Sequence, residues 1–246
     1  MKYISISLIA IILISCNNRN QNSINEKLVT QNSDQISISL VLPSSLENRR
    51  IEFQANVNSA RINIRNFAKK YEWDALTKEE FIDSVMIFDN KNSFNITLLK
   101  LAEADTIMKL PDTYCAALEK RTLVSVSPEL YAKVYPEGIE DLSFEKLLTH
   151  EIAHRLHVRI LNGNEEAMGP IWFYEGFAMY AANQYSESDI VLSKEEMINI
   201  MREPDRGSYI KYSYIFRYFV NKVSLKELIS KAKNELFNEE LILMLN

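Results

Sequence analysis

His150-Glu151-Ile152-Ala153-His154-Arg155-Leu156-His157 holds all three histidines of a 246-residue chain, and its first five residues spell H-E-x-x-H. On an α-helix, residues four apart leave nearly the same face one turn apart, so His150 and His154 can reach a single metal ion while Glu151 stands beside it as the base. That geometry exists only on a helix, and the local signals specify one. Ser143 is in the position of an N-cap, Glu145 suits the positive end of the first turn, and Phe144, Leu147, Leu148, Ile152 and Leu156 recur at helical spacing. The element can run to about Ile160, after which Asn162-Gly163-Asn164 supplies a residue able to take the left-handed conformation that ends helices.

Catalytic zinc takes three protein ligands and leaves a fourth position for water, so two histidines are not enough. The longer pattern, with a third histidine on the same helix, needs a glycine at position 157 and a histidine at position 160; His157 and Ile160 stand there instead. Further on the chain reads Gly169-Pro170-Ile171-Trp172-Phe173-Tyr174-Glu175-Gly176-Phe177-Ala178. Pro170 marks the first turn of a second helix, which carries Glu175 inward among aromatic residues. A carboxylate is costly to bury among apolar neighbours, and a metal removes that cost.

The paired motif, His150-Glu151-x-x-His154 followed by Trp172-x-x-Glu175-Gly176-x-Ala178, resembles the gluzincins, specifically the peptidase-MA-like branch related to the aminopeptidases. The resemblance covers about residues 80 to 235. It implies an α+β, zincin-like fold, Zn2+ held by His150, His154 and Glu175, and hydrolysis of peptide bonds with Glu151 as general base. It does not specify which peptide or protein is the substrate.

Such a site also needs a donor for the oxyanion of the tetrahedral intermediate. No histidine follows His157, which leaves the tyrosine of the aminopeptidase-like arrangement. The segment from Ser208 to Phe219 is similar to the helix that carries this tyrosine: Tyr209 aligns best and Lys211 agrees, while Tyr212 replaces a small residue, and Tyr212 and Tyr214 stay as substitutes. Upstream, Ala116-Ala117-Leu118-Glu119-Lys120 faintly resembles the strand whose glutamate holds a substrate amino group in aminopeptidases. The default for Glu119 is a solvated carboxylate on an edge strand. His157 reads as a surface or core-edge histidine rather than a group behind the ligands. Trp172, Phe173 and Tyr174 read as core packing around a buried ligand.

The N-terminus has the layout of an export signal, with Lys2 followed by an apolar run from Ile4 to Ile14 that is too short for a stable membrane span. Leu13-Ile14-Ser15-Cys16 resembles the bacterial lipoprotein cleavage box, which implies that Cys16 becomes a lipidated first residue and anchors the protein on the exported side of a cell-envelope membrane. Cys115 is then alone, so no intramolecular disulfide is expected and stability must come from the core. A composition 47% hydrophobic and 10% aromatic can supply one. The net charge of -5 gives no basic footprint, so nucleic acid is not expected as a partner.

Three segments follow: a signal over 1–15, a polar Asn/Gln-rich tether over 16–35, and one catalytic domain over 36–246. Within the domain, strands are expected at Ile36 to Leu42, Ser84 to Phe88 and Thr122 to Val126, with helices at about 57–72 and 93–104. Beyond the metal helices the chain reads as helical, with a capping box at Ser193-Lys194-Glu195-Glu196, a turn at Asp205-Arg206-Gly207, and helices from Leu225 to Lys233 and Leu236 to Leu245. The expected order is a small mixed sheet with helices, then the metal helix, then an all-helical lobe. Two other functions fit the same residues: a catalytically idle scaffold that binds a peptide or protein, and a zinc hydrolase of non-peptide amides.

Overall fold

Alternating apolar residues build the sheet. In the computed structural model, which describes residues 38–245, the strands are β1 (Ser39–Val41), β2 (Ser84–Phe88), β3 (Ala116–Glu119) and β4 (Thr122–Val126). Val85 and Ile87 of β2 and Leu123, Val124 and Val126 of β4 are fully buried, as central strands require. The order is β1-β2-β4-β3; β1, β2 and β4 run parallel, and β3 closes one edge antiparallel to β4. Lys120 and Arg121 join β3 to β4 in a two-residue turn with φ of 45° and 65°, the left-handed pair that matches strand twist. The first expected strand is shorter than its alternation suggests, and Ile36 and Ser37 lie outside the described residues.

Helices cover the sheet. Helix α1 (Arg50–Lys70) begins seven residues before the expected start, with Phe53, Val57, Ala60, Ile64 and Phe67 forming its buried stripe. Helix α2 (Lys91–Leu101) is capped by the Asn90 side chain, which accepts from the Ser93 N–H. Helix α3 (Pro128–Val134) was not expected from the sequence, although Ser127 caps it and proline opens it. The metal-motif helix α4 (Ser143–Ile160) packs along α1. Its N-cap is Leu142, in left-handed conformation with φ 56°, and Ser143 is its first helical residue. Past its end, Asn162 and Gly163 take φ 55° and 86°, as the Asn-Gly-Asn stop implies.

The remainder is helical: α5 (Ile171–Ala181), α6 (Lys194–Arg202), α7 (Tyr209–Val220), α8 (Leu225–Lys231) and α9 (Phe237–Ile242). Pro170 is the N-cap of α5 rather than a residue of its first turn, and the capping box of Ser193 with Glu196 is formed. Helices α5 and α7 touch at Gly176, where a Cβ would stand 2.7 Å from Phe216. Only glycine permits that approach. No helix among the described residues is long and apolar enough to cross a membrane. The segments assigned to export and tethering, with Cys16, lie outside the described residues.

Candidate metal centre

Helices α4 and α5 bring the three expected ligands together. His150 Nε2 lies 3.1 Å from His154 Nε2 and 3.1 Å from Glu175 Oε2, and His154 Nε2 lies 3.7 Å from the same Oε2. A tetrahedral ion with bonds of about 2.0–2.1 Å needs its ligand atoms about 3.3 Å apart, so this triangle is close to one face of such a tetrahedron. These three residues can therefore hold a metal ion. His150 and Glu175 are buried, and the His154 side chain remains 22% exposed, which leaves the triangle open on that side.

The surrounding charges keep Glu175 ionised and, against the effect of burial, raise the His150 imidazole above its ordinary value, so a metal ion would displace a proton there. Burial alone would raise the Glu175 carboxyl, but the Arg206 guanidinium and both imidazoles outweigh it and hold the group well below the usual carboxylate range. Arg206 comes from the turn before α7, and its Nη1 lies 2.6 Å from Glu175 Oε1, the oxygen turned away from the histidines. The same Nη1 donates to the Tyr209 hydroxyl at 2.7 Å, while Nη2 reaches the Tyr174 hydroxyl at 3.5 Å and the guanidinium lies 5.7 Å from the Tyr114 ring centre. Arginine can only donate, so the Tyr209 oxygen accepts here and its own proton is free to point elsewhere. Burial, reinforced by Glu175, pushes the Tyr209 phenol well above its ordinary value, so it stays protonated.

Glu151 lies on α4 one residue from His150 and is half-buried, and its negative charge is felt at His150, Tyr114, Cys115 and Tyr131. Arg155 of α4 donates to the Leu118 carbonyl at 3.1 Å and ties that helix to the edge strand. Of the three candidate tyrosines, Tyr209 stands beside the triangle, its ring centre 6.1 Å from that of His150. Tyr212 is buried; its hydroxyl accepts from the Gly207 N–H and donates to the Asp205 carbonyl, pinning the turn that carries Arg206. Tyr214 lines a surface groove with Tyr185, Ile210 and Arg217, none of them a candidate ligand.

Three expectations need correction. His157 is neither at the surface nor at the core edge: it is fully buried, stacked on Phe177 at 4.3 Å, and neither ring nitrogen has a hydrogen-bond partner among the described residues. Burial lowers its pKa to about 3, so the imidazole is neutral. Glu119 is not solvated but 4% exposed, and burial raises its carboxyl above the usual range despite Arg155 nearby. Trp172 and Phe173 are core, whereas Tyr174 faces the centre, 5.9 Å from the His154 ring. Arg206 and Gln184, whose Oε1 lies 2.8 Å from His150 Nδ1, were not singled out from the sequence. Asp205-Arg206-Gly207 reads as a plain turn, and nothing local marks Gln184.

No protein-family model, no curated protein and no solved structure matches the chain.

Proposed function

We propose that the chain is a gluzincin-type zinc metallopeptidase with a zincin-like arrangement, held at a cell-envelope membrane through lipid on Cys16 and acting on peptide or protein substrates. The observation that carries this reading is the triangle of His150, His154 and Glu175 at tetrahedral spacing, with Glu151 one residue from its first corner. Neutral imidazole nitrogens and one carboxylate are the donor set that suits zinc. A bound zinc ion supplies a water of near-neutral acidity and polarises a substrate carbonyl.

The chain's own residues do the rest. Glu151 takes the proton from the attacking water and passes it to the leaving amine. Tyr209, kept protonated and held by Arg206, donates to the developing oxyanion. Arg206 occupies the second oxygen of Glu175, leaving Oε2 to face the histidines. The test is Glu151→Gln, which preserves size and hydrogen bonding but removes the base. Incubated with a complex peptide pool, the wild type should generate new termini, and the variant should keep its metal while activity falls at least about a hundredfold. Wild-type activity in the variant would remove Glu151 from the mechanism.

A further inference from the structure

Gln184 sits in the turn after α5, between two residues that the backbone holds in an uncommon conformation. Asn183 and Tyr185 both have left-handed φ, 54° and 53°, and a bulky side chain seldom adopts it. Such a conformation persists where surrounding contacts over-determine it. Here they do. The Gln184 N–H donates to the Met179 carbonyl at 2.9 Å, and its carbonyl accepts from Ser213 Oγ and Arg217 Nη2, both at 3.1 Å. The Tyr185 N–H donates to the Glu140 carboxylate at 3.1 Å, and Glu140 is paired with Lys146 of the metal helix at 2.7 Å. All this fixes one side chain, 5% exposed, whose Oε1 lies 2.8 Å from His150 Nδ1.

An amide oxygen can only accept, so the His150 proton on this side is held at Nδ1 and Nε2 is directed at His154 and Glu175. We propose that Gln184 is the positioning residue of the metal centre: its amide oxygen fixes the orientation and tautomer of His150, and as a neutral acceptor it leaves this ligand a weaker donor than a carboxylate partner would. The clamp from α7 adds a structural link, because the helix that begins with Tyr209 also supplies Ser213 and Arg217. This inference rests on the reading that His150, His154 and Glu175 hold a metal.

The experiment measures Zn2+ affinity of the full chain by competition with a chromophoric chelator, alongside the visible spectrum of the Co2+ form. Gln184→Met matches the shape but removes the acceptor, and should bind zinc about 10–100-fold more weakly with an altered Co2+ spectrum. Gln184→Glu restores an acceptor of greater strength and should bind at least as tightly as the wild type. A purely structural residue would not show that rescue. Gln184→Met binding as tightly as the wild type, or Gln184→Glu losing affinity as Gln184→Met does, overturns the positioning role while leaving the metal centre intact. If Gln184→Met does not fold, Gln184→Glu is judged against the wild type: affinity at least equal supports the role, and a loss of about tenfold or more overturns it. A wild-type chain that binds neither ion overturns both readings.

Discussion

Arg206 and Glu175 form an ion pair at 2.6 Å between the turn before α7 and the middle of α5, and it engages the oxygen of Glu175 that the histidines do not. Glu175 is 1% exposed, so without a metal Arg206 is its principal neutralising charge.

Arg206→Met should therefore destabilise the metal-free protein by about 1–3 kcal/mol, below the full cost of breaking a buried pair because the arginine side chain is itself 37% exposed. Saturating zinc should shrink the loss, since the ion takes over the neutralisation. Thermal denaturation with and without zinc measures the difference; an equal loss in both states would mean that Arg206 acts through packing alone.

Tyr209→Phe should leave folding and zinc content nearly unchanged and lower kcat by on the order of a hundred to a thousandfold, with little change in KM. Tyr214→Phe should be close to neutral, and Tyr212→Phe should act mildly by loosening the turn that carries Arg206. Steady-state kinetics on one cleaved peptide separates the three. Normal kcat in Tyr209→Phe would assign the oxyanion to another donor.

His157 gives a pH dependence of known sign. Its folded pKa of about 3 lies below the ordinary 6.5, so the unfolded chain binds the extra proton. This contribution is complete above pH 6.5 and is lost as pH falls from there toward about 3, at about 1.4 kcal/mol per unit. His157→Phe keeps the stack on Phe177 and removes two unpartnered buried nitrogens, so it should stabilise by about 1 kcal/mol at pH 7. The advantage should grow by about 2 kcal/mol at pH 5. Urea unfolding of both metal-free proteins at the two pH values checks it, and a constant difference would contradict a neutral buried His157.

The parts legible in the sequence were those whose signal is local. Helical periodicity from Phe144 to Leu156, the left-handed stop at Asn162-Gly163 and the Ser193 capping box each specify structure within a turn or two, and each is present. The spacing of Glu175 from His154 also carried over, because two helix faces suffice to bring it inward. Burial of His157 and Glu119 was not legible, since it depends on Phe177 of α5 stacking on the ring and on α4 packing against β3. Arg206 sits in a polar tripeptide that reads as a plain turn, and its role exists only after α7 packs on α5.

Cys16→Ser should block acylation, so the protein should leave the membrane fraction or retain its signal. Fractionation followed by N-terminal mapping reads this, and a correctly trimmed Cys16→Ser protein still at the membrane would require an anchor other than lipid.

Zinc content bears most directly on the central claim that His150, His154 and Glu175 form one metal centre. After stripping with a chelator and reloading, elemental analysis should find one zinc per wild-type chain and nearly none in Glu175→Ala, a loss as severe as in His150→Ala. Full zinc retention by Glu175→Ala, or none in the wild type, would contradict the account.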